Sequence, residues 1–196
     1  ATGEIPYPVI PYEIIDYEGV KVAFIGLVTT DTYGLVTPEL LGSYIFLNEV
    51  ECTRRYIEEV KEQGADIVIL VSHLGQPGDP DKYLERVYEA WNSGEEYTKD
   101  FCMNHVELTC LVPGIDLIVS GHIHLGFAEP WVNPINHTVV VQGYANGTGI
   151  GRIRLKIDTD TKTLIGYDLP EGEEYVSLLH DEFWPDPDIA EMIENF

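Results

Sequence analysis

Three histidines have the residue type and the spacing that metal binding requires. His73 lies in a Ser-His-Leu-Gly turn at residues 72–75, and His122 and His124 lie in a Gly-His-Ile-His turn at residues 121–124. Imidazole is the commonest metal ligand that proteins supply. Each turn follows a strongly apolar segment, and the end of a buried segment can hold a ligand rigidly. These histidines are therefore candidate metal ligands.

The apolar segments that precede the two turns must position the histidines. Residues 67–71 and 117–119 are continuous apolar runs, rich in β-branched side chains and short enough to be strands that are covered on both faces. In open α/β sheets, ligands bind beyond the carboxyl ends of such strands. The pattern predicts an α/β fold with the histidines at one edge of the sheet.

The spacing of His122 and His124 indicates a site with two ions. In an extended segment these imidazoles would point to the same side, with their Cα atoms roughly 6–7 Å apart. Hydrolytic two-metal sites hold their ions about 3.5–4 Å apart, so this spacing suits two neighbouring ions. A lone histidine after a strand is more often a structural, hydrogen-bonded residue, and this alternative applies above all to His73.

Longer stretches of the chain resemble the 5′-nucleotidase branch of the calcineurin-like metallophosphoesterases. The stretches, in chain order, are residues 19–30, 72–75, 112–124, 139–143, 149–153 and 181–188. The resemblance implies half of a layered αββα domain, in which helices flank a mixed sheet. It also implies a division of the chain into residues 1–180, the carboxyl-terminal half of a metallophosphoesterase catalytic domain, and residues 181–196, the start of a linker helix towards a missing carboxyl-terminal domain.

The resemblance implies a role for each of the three histidines. His73 and His122 correspond to ligands of one divalent ion, and His124 corresponds to a ligand of the other. In the complete domain, the two ions, manganese, zinc or similar, activate a water that attacks phosphorus. The implied substrate is a small phosphate ester, above all a nucleotide in nucleotide catabolism. Sugar phosphates, cyclic nucleotides and sulfur oxyanion esters stay open, because the family binds the base largely through a further domain.

Other ligands of that family have no counterpart here. An Asp-x-His motif, a bridging aspartate, the asparagine of Gly-Asn-His-Glu and the catalytic histidine all come earlier in the family's chain. No histidine of this sequence has an aspartate two residues before it. Residues 104–107, Asn-His-Val-Glu, resemble the last motif only superficially, since Met103 replaces its glycine and the surroundings favour a helix. We therefore expect no catalytic residue in this chain, and weak or absent metal binding by the chain alone.

Two functions are compatible with these residues. The first is a dimetal phosphoester hydrolase of the 5′-nucleotidase type, present as a partial domain that is inactive alone and whose partner is the missing amino-terminal half. The alternative is a non-catalytic binding or assembly module built on a degenerate half-domain. Retention of all three imidazoles favours the hydrolase, because a decayed site has no physical reason to keep them.

Composition limits the partners of the chain. Only 11 basic residues face 34 acidic ones, for a formal charge of −23, which argues against binding to nucleic acid or to an anionic membrane. No apolar run approaches the roughly 20 residues of a membrane span. The family resemblance implies a periplasmic or extracellular location, although residues 1–4 lack the features of a signal peptide. Three cysteines, Cys52, Cys102 and Cys110, allow at most one internal disulfide, and we expect free thiols.

The remaining pattern gives the organisation of the chain. It predicts an opening hairpin over residues 12–28, helices over 48–63, 81–91 and 101–111, and strands over 138–141, 151–158 and 162–169, the last two forming a hairpin. If the partner half is absent, the apolar strands should leave an exposed apolar face or an unpaired sheet edge. We then expect self-association.

Overall fold

A computed structural model describes residues 4–6, 8–95, 97, 103–169, 175–177 and 186–195. The strands are β1 (Tyr12–Tyr17), β2 (Val20–Val28), β3 (Ile67–His73), β4 (Leu117–Ser120), β5 (Trp131–Val132), β6 (Val139–Gln142), β7 (Gly149–Gly151), β8 (Arg154–Asp158), β9 (Thr163–Asp168) and β10 (Tyr175–Ser177). The helices are α1 (Thr32–Leu35), α2 (Pro38–Leu41), α3 (Glu49–Glu62), α4 (Pro80–Ser93), α5 (His105–Leu111) and α6 (Pro187–Glu194).

The main sheet has six strands in the order β1-β2-β3-β4-β6-β5. Its four central strands run parallel, and β1 and β5 pair antiparallel at the two edges. Parallel neighbours need crossover connections, which α3 supplies between β2 and β3, and α4 and α5 supply between β3 and β4. The predicted α/β class, with a mixed sheet and flanking helices, is confirmed.

One face of the sheet packs against α3 and α5. Its side chains, among them Leu70 and Ile118, form a closed core with Val60 of α3 and Leu108 of α5, and all four are fully buried. The opposite face packs against the hairpin of β8 and β9. Both faces of the central strands are therefore covered over most of their length, as their continuous apolar sequences predicted.

The hairpin of β8 and β9 leaves the carboxyl ends of two central strands uncovered. Ile67 and Ile69 are buried beneath it, but Val71, which follows on the same face, is 49% exposed. Val119 pairs with Val71 in register and is 39% exposed. We call these two residues the valine strip. His73, two residues after Val71, lies on the same face of β3.

Two predicted elements differ from those observed. The helix predicted over residues 101–111 begins only at His105, because Asn104 caps it and Glu107 completes a capping box; residues 101 and 102 lie outside the described residues. The strand predicted over 151–158 is two strands, since β7 ends at Gly151 and β8 begins at Arg154. The opening hairpin, the helix over 48–63 and the hairpin that ends near residue 169 are confirmed.

Cys52 and Cys110 are free thiols, as expected, and burial is the main cause that raises the pKa of each. Cys102 lies outside the described residues. Within the described ranges, no helix is both long enough and apolar enough to cross a membrane.

The closed core gives a first prediction. Replacing the fully buried Ile118 by valine removes one methylene group, and we expect a loss of about 1 kcal/mol in the free energy of unfolding, measured by urea denaturation. Ile165 of β9 is 66% exposed, so the same substitution there should have almost no effect. Equal losses for both variants would contradict the core described above.

Candidate metal centre

His73 and His122 meet where β3 and β4 end. The turn after β4 is tied to β3 by a hydrogen bond from the Gly121 N–H to the Ser72 carbonyl, 3.0 Å long. The two imidazole rings lie 5.0 Å apart between centroids and meet edge to face. A side chain at Gly121 would place its Cβ only 3.2 Å from Nδ1 of His73. The absence of a side chain at residue 121 therefore allows the two rings to approach.

The turn that carries His122 and His124 is not extended, so the extended Gly-His-x-His geometry predicted above was wrong. β4 ends at Ser120, and His122 and His124 have φ angles of 97° and 56°. Such positive values are uncommon for residues other than glycine, and they turn the chain back across the sheet edge. The side chain of Ile123 packs directly against Gly75, whose own φ is 89°. This contact between the two histidine turns replaces the strand continuation that the sequence suggested.

The three imidazoles are close enough to interact electrostatically. Partial burial is the main cause that lowers the pKa of His73, and the charges of His122 and then His124 lower it further. His73 is therefore held in its neutral form, which is the form that binds metal ions. His124 thus lies close enough to His73 to affect its titration.

Asp31 is a further candidate ligand, which the sequence analysis did not find. Its Oδ2 lies 3.7 Å from Nε2 of His122. The residue follows β2, the parallel neighbour of β3, so its place at the carboxyl edge of the sheet could have been inferred once the strand order was known. No carboxylate at this edge of the sheet was named from the sequence.

A buried glutamate holds the segment that carries Asp31. Oε1 of Glu49, which is fully buried in the first turn of α3, accepts hydrogen bonds from the backbone N–H and the hydroxyl group of Thr30, at 2.7 Å and 2.6 Å. The Asp31 N–H donates to the hydroxyl group of Thr29 at 3.1 Å. Together these three hydrogen bonds hold the loop that carries Asp31.

His105 contacts the turn that carries His73 through both its side chain and its backbone. Its Nε2 lies 2.9 Å from the hydroxyl oxygen of Ser72, and its backbone N–H donates to the Gly75 carbonyl at 3.0 Å. The side chain is completely buried, and burial lowers its pKa to about 3, with the charge of His122 as a smaller cause. His105 is thus a neutral structural residue at the start of α5, in agreement with the helical interpretation of residues 104–107.

Gln142, at the end of β6, joins the turns on the other side. Its Oε1 accepts from the hydroxyl group of Ser120 at 2.6 Å and from the Gln76 N–H at 3.0 Å, and its Nε2 donates to the Leu125 carbonyl at 2.8 Å. The side chain is 1% exposed. No local pattern marks this residue as important, because its partners come from the end of β4 and from the two connections that follow β3 and β4.

A cavity of about 600 Å³ opens beside His122. It lies between α4, the start of α5, and the loops that follow β3 and β4. The lining residues are Asp31, Leu74, Gly75, Pro77, Gly78, Asp79, Lys82, Tyr83, Arg86, Met103, Asn104, Glu107, His122 and Ile123. The cavity has the size of a typical small-molecule site.

The donor set does not amount to a complete metal site. Among the residues that the structure describes, no group of three or more histidine, cysteine, aspartate or glutamate side chains is arranged to hold a metal ion. The rings of His73 and His122 and the carboxylate of Asp31 offer three donor groups, which is fewer than zinc or manganese usually takes. Any metal bound here would need further ligands, so no catalytic step can be derived from these residues alone.

Three bacterial proteins are similar to most of this chain. The chain is 27% identical over 177 residues to a 5′-nucleotidase of Vibrio cholerae, covering 81% of this chain and 29% of that protein. It is 25% identical over 197 residues to an endonuclease of Bacillus subtilis, covering 100% and 14%. It is 28% identical over 163 residues to a cell wall protein of Listeria monocytogenes, covering 82% and 19%. The chain thus spans less than a third of each relative's length.

Solved structures agree on the fold. A 5′-nucleotidase precursor from Thermus thermophilus superposes with a TM-score of 0.62 at 22% identity, over 94% of this chain and 33% of that one. No protein-family model matches the sequence. The chain is a distant homologue, at about 25% identity, of 5′-nucleotidases and related phosphoesterases over most of its length.

Proposed function

We propose that this chain is part of a phosphoester hydrolase of the 5′-nucleotidase type, and that His73, His122 and His124 contribute ligands to two divalent ions. The observation that carries the proposal is the approach of the His73 and His122 rings to 5.0 Å, with the Asp31 carboxylate 3.7 Å from His122. These groups lie at the carboxyl edge of a parallel sheet, which is the usual place for a ligand site. The remaining ligands and the proton donor would come from polypeptide outside residues 1–196.

The domain division belongs to the same proposal. Residues 1–180 would be the carboxyl-terminal half of the catalytic domain, and residues 181–196, which include α6, would begin a linker to a further domain. The small share of each relative that the chain covers supports this division. We also propose a periplasmic or extracellular location, which agrees with the Listeria relative being a cell wall protein.

The substrate in this proposal is a small phosphate ester, with nucleotide 5′-phosphates first. Because the Bacillus relative is an endonuclease, a nucleic-acid phosphodiester is a second candidate substrate. The charge of −23 opposes this alternative, because polynucleotide binding depends on lysine and arginine contacts to phosphates.

Complementation tests the hydrolase. The amino-terminal half of a 5′-nucleotidase catalytic domain, fused before residue 1, should give activity with manganese or zinc that neither part has alone. The substrate panel should contain a nucleotide 5′-phosphate, a cyclic nucleotide, a sugar phosphate and a short single-stranded DNA. His122→Ala should lower the activity by at least about 100-fold, because a missing ligand weakens both metal binding and geometry. His137→Ala, at an exposed turn, is the matched control.

One result would favour the alternative, a non-catalytic binding or assembly module. The observation that supports this alternative is the incomplete set of metal donors among the described residues. If native mass spectrometry shows a folded, metal-loaded complemented protein that hydrolyses none of the four substrates, the hydrolase proposal is wrong.

A further inference from the structure

The cavity beside His122 has a second wall, which contains none of the proposed metal ligands. This wall is formed by α4, whose residues Lys82, Tyr83 and Arg86 line the cavity. Lys82 and Arg86 are four residues apart, so they lie on one face of the helix. The acidic residues of the same helix, Asp81, Glu85 and Glu89, are not among the lining residues. Helix α4 carries both acidic and basic residues, but of these only the basic side chains line the cavity.

This placement matters because basic residues are scarce. The chain has 11 lysines and arginines against 34 acidic residues, and two of the 11 line this cavity. Within the described part of the chain, the Lys82 ammonium group has no hydrogen bond or ion pair. The Arg86 guanidinium lies 5.7 Å from the centre of the Tyr83 ring, in a cation–π contact that orients it.

The cavity also has three carboxylates in its lining, and each of them has a partner of its own. The Glu107 carboxylate accepts hydrogen bonds from the Tyr97 hydroxyl group and from the backbone and side-chain N–H groups of Asn104. The Asp79 carboxylate caps α4 by accepting from the Lys82 N–H at 3.3 Å. Asp31 faces His122. The cationic side of the cavity is thus the part of the α4 wall that carries Lys82 and Arg86, beyond the capping residue Asp79, and the Asp31 side adjoins the histidines.

We infer that the α4 wall binds a second anionic group, carried on the leaving-group side of the phosphate ester and held by Lys82 and Arg86. The ligand class is a small phosphate ester with a second phosphate or a carboxylate, and a volume of about 600 Å³ accommodates such a molecule. The anion site itself needs only the residues of this chain. Its connection to the ester that is cleaved rests on the proposed function.

Direct binding tests the anion site without metal or activity. The 196-residue chain is titrated with inorganic phosphate, and separately with acetate, in 0.15 M salt, while backbone amide shifts are followed by NMR. We expect saturable shifts centred on residues 75–86 and 103–107, with the affinity for at least one of the two anions lowered at least about tenfold in K82Q/R86Q. The double variant K156Q/K162Q removes the same charge from the β8–β9 hairpin and should change the affinity less than about twofold.

Equal effects of the two double variants would overturn the anion site, because they would show only a general charge effect. Shifts centred outside the two segments would overturn it as well. If the complemented enzyme is active, K82Q/R86Q should raise KM for 3-phosphoglycerate or fructose 1,6-bisphosphate at least about tenfold, with kcat and the KM for glycerol 3-phosphate unchanged. Loss of activity on all three esters alike would overturn the specificity role. Inactivity of the complemented protein would contradict the proposed hydrolase, whereas the NMR titration decides the anion site independently.

Discussion

Lowering the pH from 7 to 4 should destabilise the protein by ~3 kcal/mol through His105 alone. The folded protein keeps this side chain neutral, with a pKa near 3 against an ordinary value of 6.5, because burial penalises the charged form. Between these two values the unfolded chain binds more protons than the folded one, so unfolding becomes easier as the pH falls. The stabilisation is complete above about pH 6.5 and is lost progressively towards pH 3, at ~1.4 kcal/mol per pH unit.

Urea denaturation at several pH values measures this effect. We expect His105→Gln to be less stable than the wild type at pH 7, because it loses the bond to Ser72, yet to lose less stability on acidification. His137→Gln, at an exposed position, should keep the slope of the wild type. NMR titration of the ring should find His105 neutral down to the unfolding transition. Parallel pH curves for wild type and His105→Gln would refute the assignment.

Gly75→Ala should cost about 2–5 kcal/mol in the free energy of unfolding and should disturb the histidine turns. One part of the cost is the backbone, since φ is 89° and a side chain disfavours that region by ~1–2 kcal/mol. The other part is steric, because the new Cβ would come within 2.7 Å of Cγ2 of Ile123. Overpacking of this kind typically costs ~1–3 kcal/mol.

Two further variants separate these parts. Gly94→Ala introduces a side chain at a φ of 75° with no atom within 4 Å, so it should show only the backbone cost. Adding Ile123→Ala to Gly75→Ala should recover part of the steric cost, as a positive coupling in a double-mutant cycle. If Gly75→Ala costs no more than Gly94→Ala, then the contact between the two turns is not as described.

The strands and hairpins could be predicted because their signals are local. Residues 67–71 form a continuous β-branched run, and such a run is stable only where both faces are covered. Asn48 and Gly64 flank α3 with the residue types that begin and end helices, and the observed helix follows them. The proximity of His73 and His122 followed from the same reasoning, because parallel strands end at a common edge.

The finer geometry of the site depends on contacts between distant segments, which no local pattern carries. The positive φ angles at His122 and His124 arise where Ile123 packs on Gly75, 48 residues earlier in the sequence. Asp31 lies near His122 in a loop that Glu49, 18 residues later, holds through Thr30. Periodicity describes one element at a time, so it indicated an extended turn and missed the carboxylate.

The valine strip links assembly to the histidines. Val71 and Val119 are exposed at the end of the face that the β8–β9 hairpin covers, and His73 follows Val71 on that face. A polypeptide that shields these valines from water must therefore also lie against the imidazole ring of His73. Association and cation affinity would then be coupled by thermodynamic reciprocity: whatever free energy a divalent ion adds to the joining of the two halves, the joining adds equally to the retention of the ion.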